Sequence, residues 1–173
     1  GNGEGEIIES YSYKQTNEWA NRIANGLKDE FGVKKGDKVG MYMINCSEYV
    51  ASIVAVHKTG AVQVPINKYE KGERLAYVIN YSEMVVLILD PGSLPFIEEI
   101  AKDVKNLRVI FMTGDPAKVP AEIGGIKTLP FSTFDKFPVK NPGVKVTTND
   151  MERCMFTSGT TGMPKGVARD HGG

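Results

Sequence analysis

The residues best suited to chemistry lie near the end of the chain, in a stretch rich in glycine and hydroxyl side chains. Residues 156–167 read Phe-Thr-Ser-Gly-Thr-Thr-Gly-Met-Pro-Lys-Gly-Val. Glycine allows positive φ values and lets a backbone approach a ligand closely, so that successive N–H groups can converge on one anion. Hydroxyl groups add donors that rotate, and Lys165 adds a full positive charge. The stretch therefore predicts a loop that binds phosphate.

This stretch differs from the commoner P-loop. A P-loop requires Gly, four residues, and then Gly-Lys followed by Ser or Thr, whose hydroxyl holds Mg²⁺. Here Lys165 follows Pro164 and precedes Gly166, so the pattern lacks that hydroxyl. Two plainer alternatives are a flexible linker of Gly, Ser and Thr and, for Lys165 by itself, a solvated surface lysine. A linker would not account for the Pro-Lys-Gly-Val segment or for the strand-like residues before the loop.

Residues 156–167 resemble, almost position for position, the phosphate-binding signature of the adenylate-forming enzymes. These enzymes include acyl-CoA synthetases, the adenylation domains of peptide synthetases, and luciferases. The family's pattern is an aromatic residue, Thr-Ser-Gly-Thr-Thr-Gly, any residue, and Pro-Lys-Gly-Val. Two earlier blocks are similar as well: residues 32–39 follow a capped helix, and residues 58–67 join a helix to a strand. The blocks stand in the family's order, so the resemblance covers about residues 11–171.

The resemblance implies a role for each loop residue. In the family the loop closes over the triphosphate of ATP while a carboxylate attacks the α-phosphorus, which gives an acyl-adenylate and pyrophosphate. Hydroxyl and N–H groups would bind the β- and γ-phosphates, and Pro164 would stiffen the base of the loop. Lys165, the implied catalytic residue, would offset charge that grows on the leaving pyrophosphate. The implied ATP-binding residues are Thr157, Ser158, Gly159, Thr160, Thr161, Gly162, Met163, Pro164, Lys165 and Gly166.

By the same resemblance, the chain is predicted to be part of an ATP-dependent, AMP-forming acyl-CoA synthetase, an acid–thiol ligase. Its implied substrates are a small-molecule carboxylic acid, ATP and coenzyme A, with Mg²⁺ as the metal cofactor. Adenylation domains of the peptide-synthetase or luciferase branch remain alternatives, because the loop contacts only phosphate. A different class of alternative is a non-enzymatic α/β module that binds a nucleotide or a protein partner.

Family members run to several hundred residues, whereas this sequence has 173. Residues 11–173 are therefore predicted to be an incomplete N-terminal AMP-binding domain, and residues 1–10 a disordered or artificial extension. The family's Tyr-Gly-any-Thr-Glu block and its small C-terminal domain do not occur in this sequence. We accordingly expect residues 1–173 by themselves to form no acyl-adenylate. We also expect residues 158–163 to be poorly ordered when no phosphate is bound.

Both histidines lie outside the loop. The family often carries a Ser/Thr-His pair a few residues beyond the loop, at the start of a helix near the acyl pocket. His171 stands at that distance, so the resemblance implies a role in the substrate pocket. The residue before it is Asp170 and not Ser or Thr, but Asp can also cap a helix. An ordinary surface histidine is the alternative. His57 falls on a predicted helix, where plain packing is the simplest interpretation.

The rest of the sequence predicts the elements that position the loop. A capping box at Ser12 and Gln15 starts an amphipathic helix, and Gly32 is its expected C-terminal residue. Beyond it strands and helices alternate, which predicts an α/β fold: a mostly parallel sheet with helices on both faces. The predicted strands are residues 39–44, 61–66, 84–89, 108–112 and 152–156, and the later helices are residues 48–58, 73–81 and 93–104.

Three finer predictions complete this outline. Asn45 or Ser47 is expected to cap the second helix, and Ser93 the last. Residues 113–149 are predicted to be irregular, with one short helix near residues 131–137. The loop is expected beyond the carboxyl end of its strand, where ligands bind in such sheets.

Composition narrows the class of protein. The chain is 41% hydrophobic and 24% charged with zero net charge, which is ordinary for a soluble domain and offers no basic surface for nucleic acid. The longest apolar run, residues 84–89, is too short to cross a bilayer, so no transmembrane segment is predicted. Cys46 and Cys154 lie far apart without metal-ligand spacing, so we expect reduced thiols, no metal site and a cytoplasmic location. The sequence leaves the oligomeric state open.

Overall fold

One mixed β-sheet carries the fold in the computed structural model, which describes residues 9–157 and 162–173. Its strands there are β1 (Lys38–Tyr42), β2 (Val62–Pro65), β3 (Met84–Leu89), β4 (Val109–Met112), β5 (Glu122–Ile123), β6 (Ile126–Pro130), β7 (Met151–Thr157) and β8 (Lys165–Asp170). They lie in the order β5-β6-β4-β3-β1-β2-β7-β8. Neighbours pair in parallel except at the two edges, where β5 pairs with β6 and β7 with β8 in antiparallel register. The predicted mostly parallel sheet is confirmed.

Helices cover both faces of this sheet. The α-helices in the described ranges are α1 (Tyr13–Asn25), α2 (Ser47–Thr59), α3 (Gly72–Tyr81) and α4 (Leu94–Ile100). Apolar side chains of α1 and α2 form one buried cluster with one face of the sheet, and those of α3 and α4 form a second cluster with the other face. None of these helices has both the length and the hydrophobicity of a membrane span. The predicted arrangement of helices is confirmed.

The first helix begins at the predicted capping box. The Ser12 hydroxyl accepts a hydrogen bond from the Gln15 N–H at 3.3 Å, and the Gln15 side-chain oxygen accepts one from the Ser12 N–H at 2.8 Å. A π-helical turn, Gly26–Glu30, extends α1. Gly32 then takes φ 64°, the left-handed conformation expected of a residue that ends a helix.

The predicted cap of α2 is wrong. Cys46 occupies the N-cap position, without a side-chain hydrogen bond to the helix. The hydroxyl of Ser47 donates instead to Glu9 Oε2 at 2.8 Å. The Ser47 side chain, which the local sequence pattern assigned to the cap, therefore bonds a residue distant in the sequence.

Both antiparallel pairings involve strands that were not predicted from the sequence: β5 and β6 at one edge, and β8 at the other. Residues 113–149, expected to be irregular, contain the short β5–β6 hairpin, turned by Gly124 and Gly125 at φ 59° and 85°. The 3₁₀ helix Phe131–Lys136 that follows confirms the predicted short helix. At the other edge β8 runs back along β7, and all six of its residues are exposed. An exposed strand lacks the alternation of apolar and polar residues by which strands are recognised.

Candidate functional site

The predicted phosphate loop connects β7 to β8 at the carboxyl edge of the parallel strands. β7 runs parallel to β2 and ends at Thr157, and Lys165 lies directly opposite Thr157 as the first residue of β8. The Thr157 hydroxyl donates a long hydrogen bond to the Lys165 carbonyl at 3.5 Å. Ser158, Gly159, Thr160 and Thr161 lie outside the described residues, and so does most of the segment 158–163 that was expected to be poorly ordered. The structure therefore describes the two stems of the loop: the first stem, residues 156–157 at the end of β7, and the second stem, residues 162–166.

The two stem residues present polar side chains to the same region. Residues directly opposite each other in an antiparallel pair share one face, so the Thr157 hydroxyl and the Lys165 ammonium project on one side of the hairpin. Both residues are exposed, and no carboxylate of the described residues lies within ion-pair distance of Lys165 Nζ. Pro164, just before the lysine, is buried. The charge of Lys165 is thus available to an external anion.

Helix α3 contacts the loop at both of its ends. Before the loop, the ring of Tyr81 packs edge-to-face on Phe156, with centroids 6.1 Å apart. After the loop, Arg74 Nη1 donates a hydrogen bond to the Gly162 carbonyl at 2.9 Å. Glu70 holds the same guanidinium, with 2.8 Å between Arg74 Nε and Glu70 Oε2. The loop is therefore tied to the body of the domain through α3.

A groove of about 480 Å³ lies between α3 and the second stem. It is lined by Tyr77, Tyr81, Met163, Pro164, Lys165 and Gly166. The two tyrosine rings are stacked, with centroids 5.2 Å apart and planes inclined by 23°. The groove thus sets an aromatic wall beside the lysine.

An ion pair that the sequence analysis did not single out joins strand ends at the same edge. Asp90, which follows β3, accepts hydrogen bonds from Lys68 Nζ at 2.8 Å and from the Ile44 N–H at 2.7 Å. It also caps the 3₁₀ turn before α4 by accepting from the Ser93 N–H at 2.9 Å. Burial raises the pKa of the Asp90 carboxyl, but the hydrogen bonds from these donors and the charge of Lys68 lower it by more. The pKa of Asp90 therefore lies below its ordinary value.

Ser93 occupies the predicted N-cap position of α4, but its side chain makes no hydrogen bond to the helix. The Ser93 hydroxyl donates to the Tyr42 carbonyl at 2.8 Å and so is engaged with β1 rather than with its own helix. The signal that could have found Asp90 as the cap of the preceding 3₁₀ turn is the sequence Asp-Pro-Gly at residues 90–92. An acidic residue before proline is typical of a helix start.

His171 lies at the end of β8 away from Lys165, about 20 Å along an extended strand. It occupies a turn rather than the start of a helix, and its ring packs edge-to-face on His57 of α2 with centroids 5.3 Å apart. Glu152 Oε1 lies 3.8 Å from His57 Nε2. Burial lowers the pKa of His57, and Glu152 raises it in part. The structure does not bring His171 to the loop.

Neither a metal cluster nor a reactive thiol is found in residues 9–157 and 162–173. No group of three or more His, Cys, Asp or Glu side chains there could hold a metal ion. Cys46 and Cys154 are free, and burial raises the pKa of Cys46 to about 11 and that of Cys154 above its ordinary value. A thiol with a raised pKa stays protonated near neutral pH and is a poor nucleophile.

The sequence profile of the family described as AMP-binding enzyme matches residues 6–173, nearly the whole chain. The chain belongs to the AMP-binding enzyme family. The predicted resemblance to adenylate-forming enzymes is therefore confirmed.

Several similar proteins are CoA ligases by name. The crotonobetaine/carnitine–CoA ligase of an Escherichia coli strain is 32% identical over 173 residues, which cover 96% of this chain and 32% of that protein. The crystal structure of the anthranilate CoA ligase AuaEII with anthranoyl-AMP matches 95% of this chain and 30% of its own, with a TM-score of 0.86 and 30% identity. The N-terminal domain of FACL13 from Mycobacterium tuberculosis matches 92% of this chain and 37% of its own, with a TM-score of 0.73 and 29% identity. The chain spans about a third of the length of the curated relatives it matches.

Proposed function

We propose that this chain is the ATP-binding N-terminal part of an AMP-forming acid–CoA ligase. Such an enzyme activates a carboxylic acid as an acyl-adenylate and transfers it to coenzyme A. The proposal depends mainly on one observation: Thr157 and an exposed Lys165 lie opposite each other, one before and one after the glycine- and hydroxyl-rich segment. Family membership and relatives named as CoA ligases support the same chemistry.

Lys165 would act on the leaving group. When a carboxylate attacks the α-phosphorus of ATP, the bond to pyrophosphate breaks and negative charge grows on the departing oxygen. A fixed ammonium beside that oxygen stabilises the transition state more than it stabilises bound ATP. The Thr157 hydroxyl would help to hold the phosphates, and the ring of Pro164 restricts the backbone just before the lysine. Positioning and electrostatics, without a covalent bond to the protein, are the expected mode of action.

Mg²⁺ would enter bound to phosphate oxygens of ATP and neutralise part of their charge. The described residues offer no set of ligands for it, so we assign it no residue of this chain. We do not extend the proposal to His171, because its ring packs on His57 at the end of β8 opposite the loop.

Acid-dependent exchange of labelled pyrophosphate into ATP tests the proposal. The full-length protein would be incubated with ATP, Mg²⁺ and a panel of aliphatic, aromatic and betaine-type acids, and AMP release would then be measured with and without coenzyme A. We expect exchange with at least one acid, and coenzyme A-dependent turnover. We expect residues 1–173 alone to give neither.

Each contrary result has a definite meaning. ATP binding without exchange for any acid would favour the non-enzymatic nucleotide-binding module. Exchange without transfer to coenzyme A would favour the peptide-synthetase or luciferase branch. Turnover of about 1 s⁻¹ by residues 1–173 alone, an ordinary enzymatic rate, would show that this part of the chain is sufficient for adenylation.

A further inference from the structure

We infer that Arg74 is a positioning residue for the phosphate loop, because it fixes the stem that carries Lys165 through contacts that begin in the core. The catalytic consequence of this contact rests on the proposed function. The contact between α3 and the loop does not, and it can be tested separately.

The contacts start at the end of β1. Tyr42 is fully buried, and its hydroxyl donates to the Glu70 carbonyl at 2.8 Å, which anchors the turn between β2 and α3. The Glu70 carboxylate then grips the guanidinium of Arg74 at two points, Oε2 to Nε at 2.8 Å and Oε1 to Nη2 at 3.3 Å. Such a two-point pair fixes the plane of the guanidinium as well as its place. Arg74 is therefore oriented before it meets the loop.

Arg74 occupies a position that helix stability does not favour. It lies in the first turn of α3, which begins at Gly72, and the helix macrodipole disfavours a cation there. The carboxylate of Glu70 offsets that cost and leaves Nη1 to donate to the Gly162 carbonyl at 2.9 Å. The arrangement aims one donor of a fixed guanidinium at the backbone of the loop.

The contact point lies three residues before Lys165 in the chain. Gly162 takes φ 108°, a value that residues with a Cβ rarely adopt, so its carbonyl direction depends on this glycine. The two residues between, Met163 and Pro164, leave little freedom because the proline ring fixes φ. With Tyr81 packed on Phe156 before the loop, α3 holds both stems. A change at Arg74 should therefore move the ammonium of Lys165 relative to the phosphates.

The test compares Arg74→Gln, Arg74→Lys and Arg108→Gln in the full-length protein. Arg108 is the matched control, because its guanidinium also bonds a carboxylate, Asp37, at 3.1 Å and its side chain is 50% exposed, against 42% for Arg74. The measurements are kcat and KM for ATP in adenylation, the rate of the thioester step started from pre-made acyl-adenylate, and hydrogen exchange of the backbone amides within residues 162–166, of which Pro164 has none.

We expect Arg74→Gln to lower kcat for adenylation on the order of 10-fold, because displacing a catalytic group by a fraction of an ångström has effects of this size. The KM for ATP and the rate of the thioester step should change less than about 3-fold, because the stem positions Lys165, which acts on the release of pyrophosphate. Arg74→Lys should rescue only partly, because the three bonds to Glu70 and the Gly162 carbonyl come from three separate nitrogens of the guanidinium, and a single ammonium nitrogen lacks that spread. Exchange at residues 162–166 should speed up in Arg74→Gln and not in Arg108→Gln.

Two results would overturn the inference. One is unchanged hydrogen exchange at residues 162–166 in Arg74→Gln. The other is an equal loss in both half-reactions, which would indicate general damage to the domain. If the wild-type protein adenylates no acid, the proposed function fails, and the hydrogen-exchange comparison still decides whether Arg74 holds the stem.

Discussion

The ion pair between Asp90 and Lys68 can be isolated by a double-mutant cycle of Asp90→Ala, Lys68→Met and the double variant. Lys68 Nζ lies 3.0 Å from Oδ1 and 2.8 Å from Oδ2 of Asp90. The side chains of Lys68 and Asp90 are 30% and 9% exposed. Because the pair is neither fully buried nor open to water, its coupling energy should fall between the values for surface and buried pairs, at about 1.5 kcal/mol.

The single substitutions should have unequal effects on the free energy of unfolding. Asp90→Ala removes the pair and also the acceptor of the Ile44 and Ser93 N–H groups, each worth about 1 kcal/mol, so we expect a loss of about 3.5 kcal/mol. Lys68→Met leaves Asp90 with those two backbone donors and should cost about 1.5 kcal/mol. The double variant should then lose about 3.5 kcal/mol rather than the sum, because the second substitution removes a partner already lost.

The assay is urea unfolding at pH 7, followed through the fluorescence of Trp19, the single tryptophan of the sequence. A matched control is the pair of Lys136 and Glu30, which has the same 2.8 Å separation but side chains 57% and 42% exposed. Its coupling energy should be below about 0.5 kcal/mol. Additive effects of the Asp90 and Lys68 substitutions, or an equal coupling energy in the control pair, would show that burial does not strengthen the ion pair.

Two further predictions concern His57, which is half-buried on α2, and Gly40 of β1. Burial lowers the pKa of His57 in the folded protein, so the unfolded chain binds the proton more readily. The free energy of unfolding should therefore fall as the pH drops below about 6.5. His57→Gln should flatten this pH dependence, which urea midpoints measured from pH 8 to 5 would show. An unchanged pH slope in the variant would contradict this. A Cβ at Gly40 would overlap the Met84 sulfur and lie 2.9 Å from Leu87 Cδ1, so Gly40→Ala should cost about 1–3 kcal/mol in unfolding experiments. The same substitution in a Met84→Ala background should cost less, and an equal cost there would argue against overlap as the cause.

The parts of the fold that the sequence predicted are those with a strong local signal. Residues 84–89 are apolar on both faces, and they form β3 with the predicted bounds. Ser12 and Gln15 form the capping box because both partners lie within one turn. The glycine- and hydroxyl-rich loop could be predicted to bind phosphate because glycine N–H groups and hydroxyl groups are suited to holding an anion. In each case the information lies within a few neighbouring residues.

The parts that the sequence did not predict depend on contacts between distant residues. Arg74 and Gly162 are 88 positions apart, and nothing near either residue marks the other as its partner. Asp90 binds a lysine and a backbone amide from two other segments, so its role emerges only when the strand ends meet. β8 is exposed along its whole length and therefore carries no hydrophobic pattern. β8 is the edge strand, and what places it there is its backbone pairing with β7, which a pattern of side chains does not reveal.

The proposal that Lys165 stabilises the departure of pyrophosphate is tested by measuring separately the two half-reactions of Lys165→Ala in the full-length protein. Lys118→Ala, which removes a lysine whose side chain is 80% exposed, is the control. We predict that Lys165→Ala lowers kcat for adenylation by about 10- to 1,000-fold and raises the KM for ATP less, while Lys165→Arg rescues only partly. The thioester step from pre-made acyl-adenylate should stay within about 3-fold of wild type, because no pyrophosphate remains to be stabilised. A thioester step slowed as much as adenylation would contradict the role assigned to Lys165.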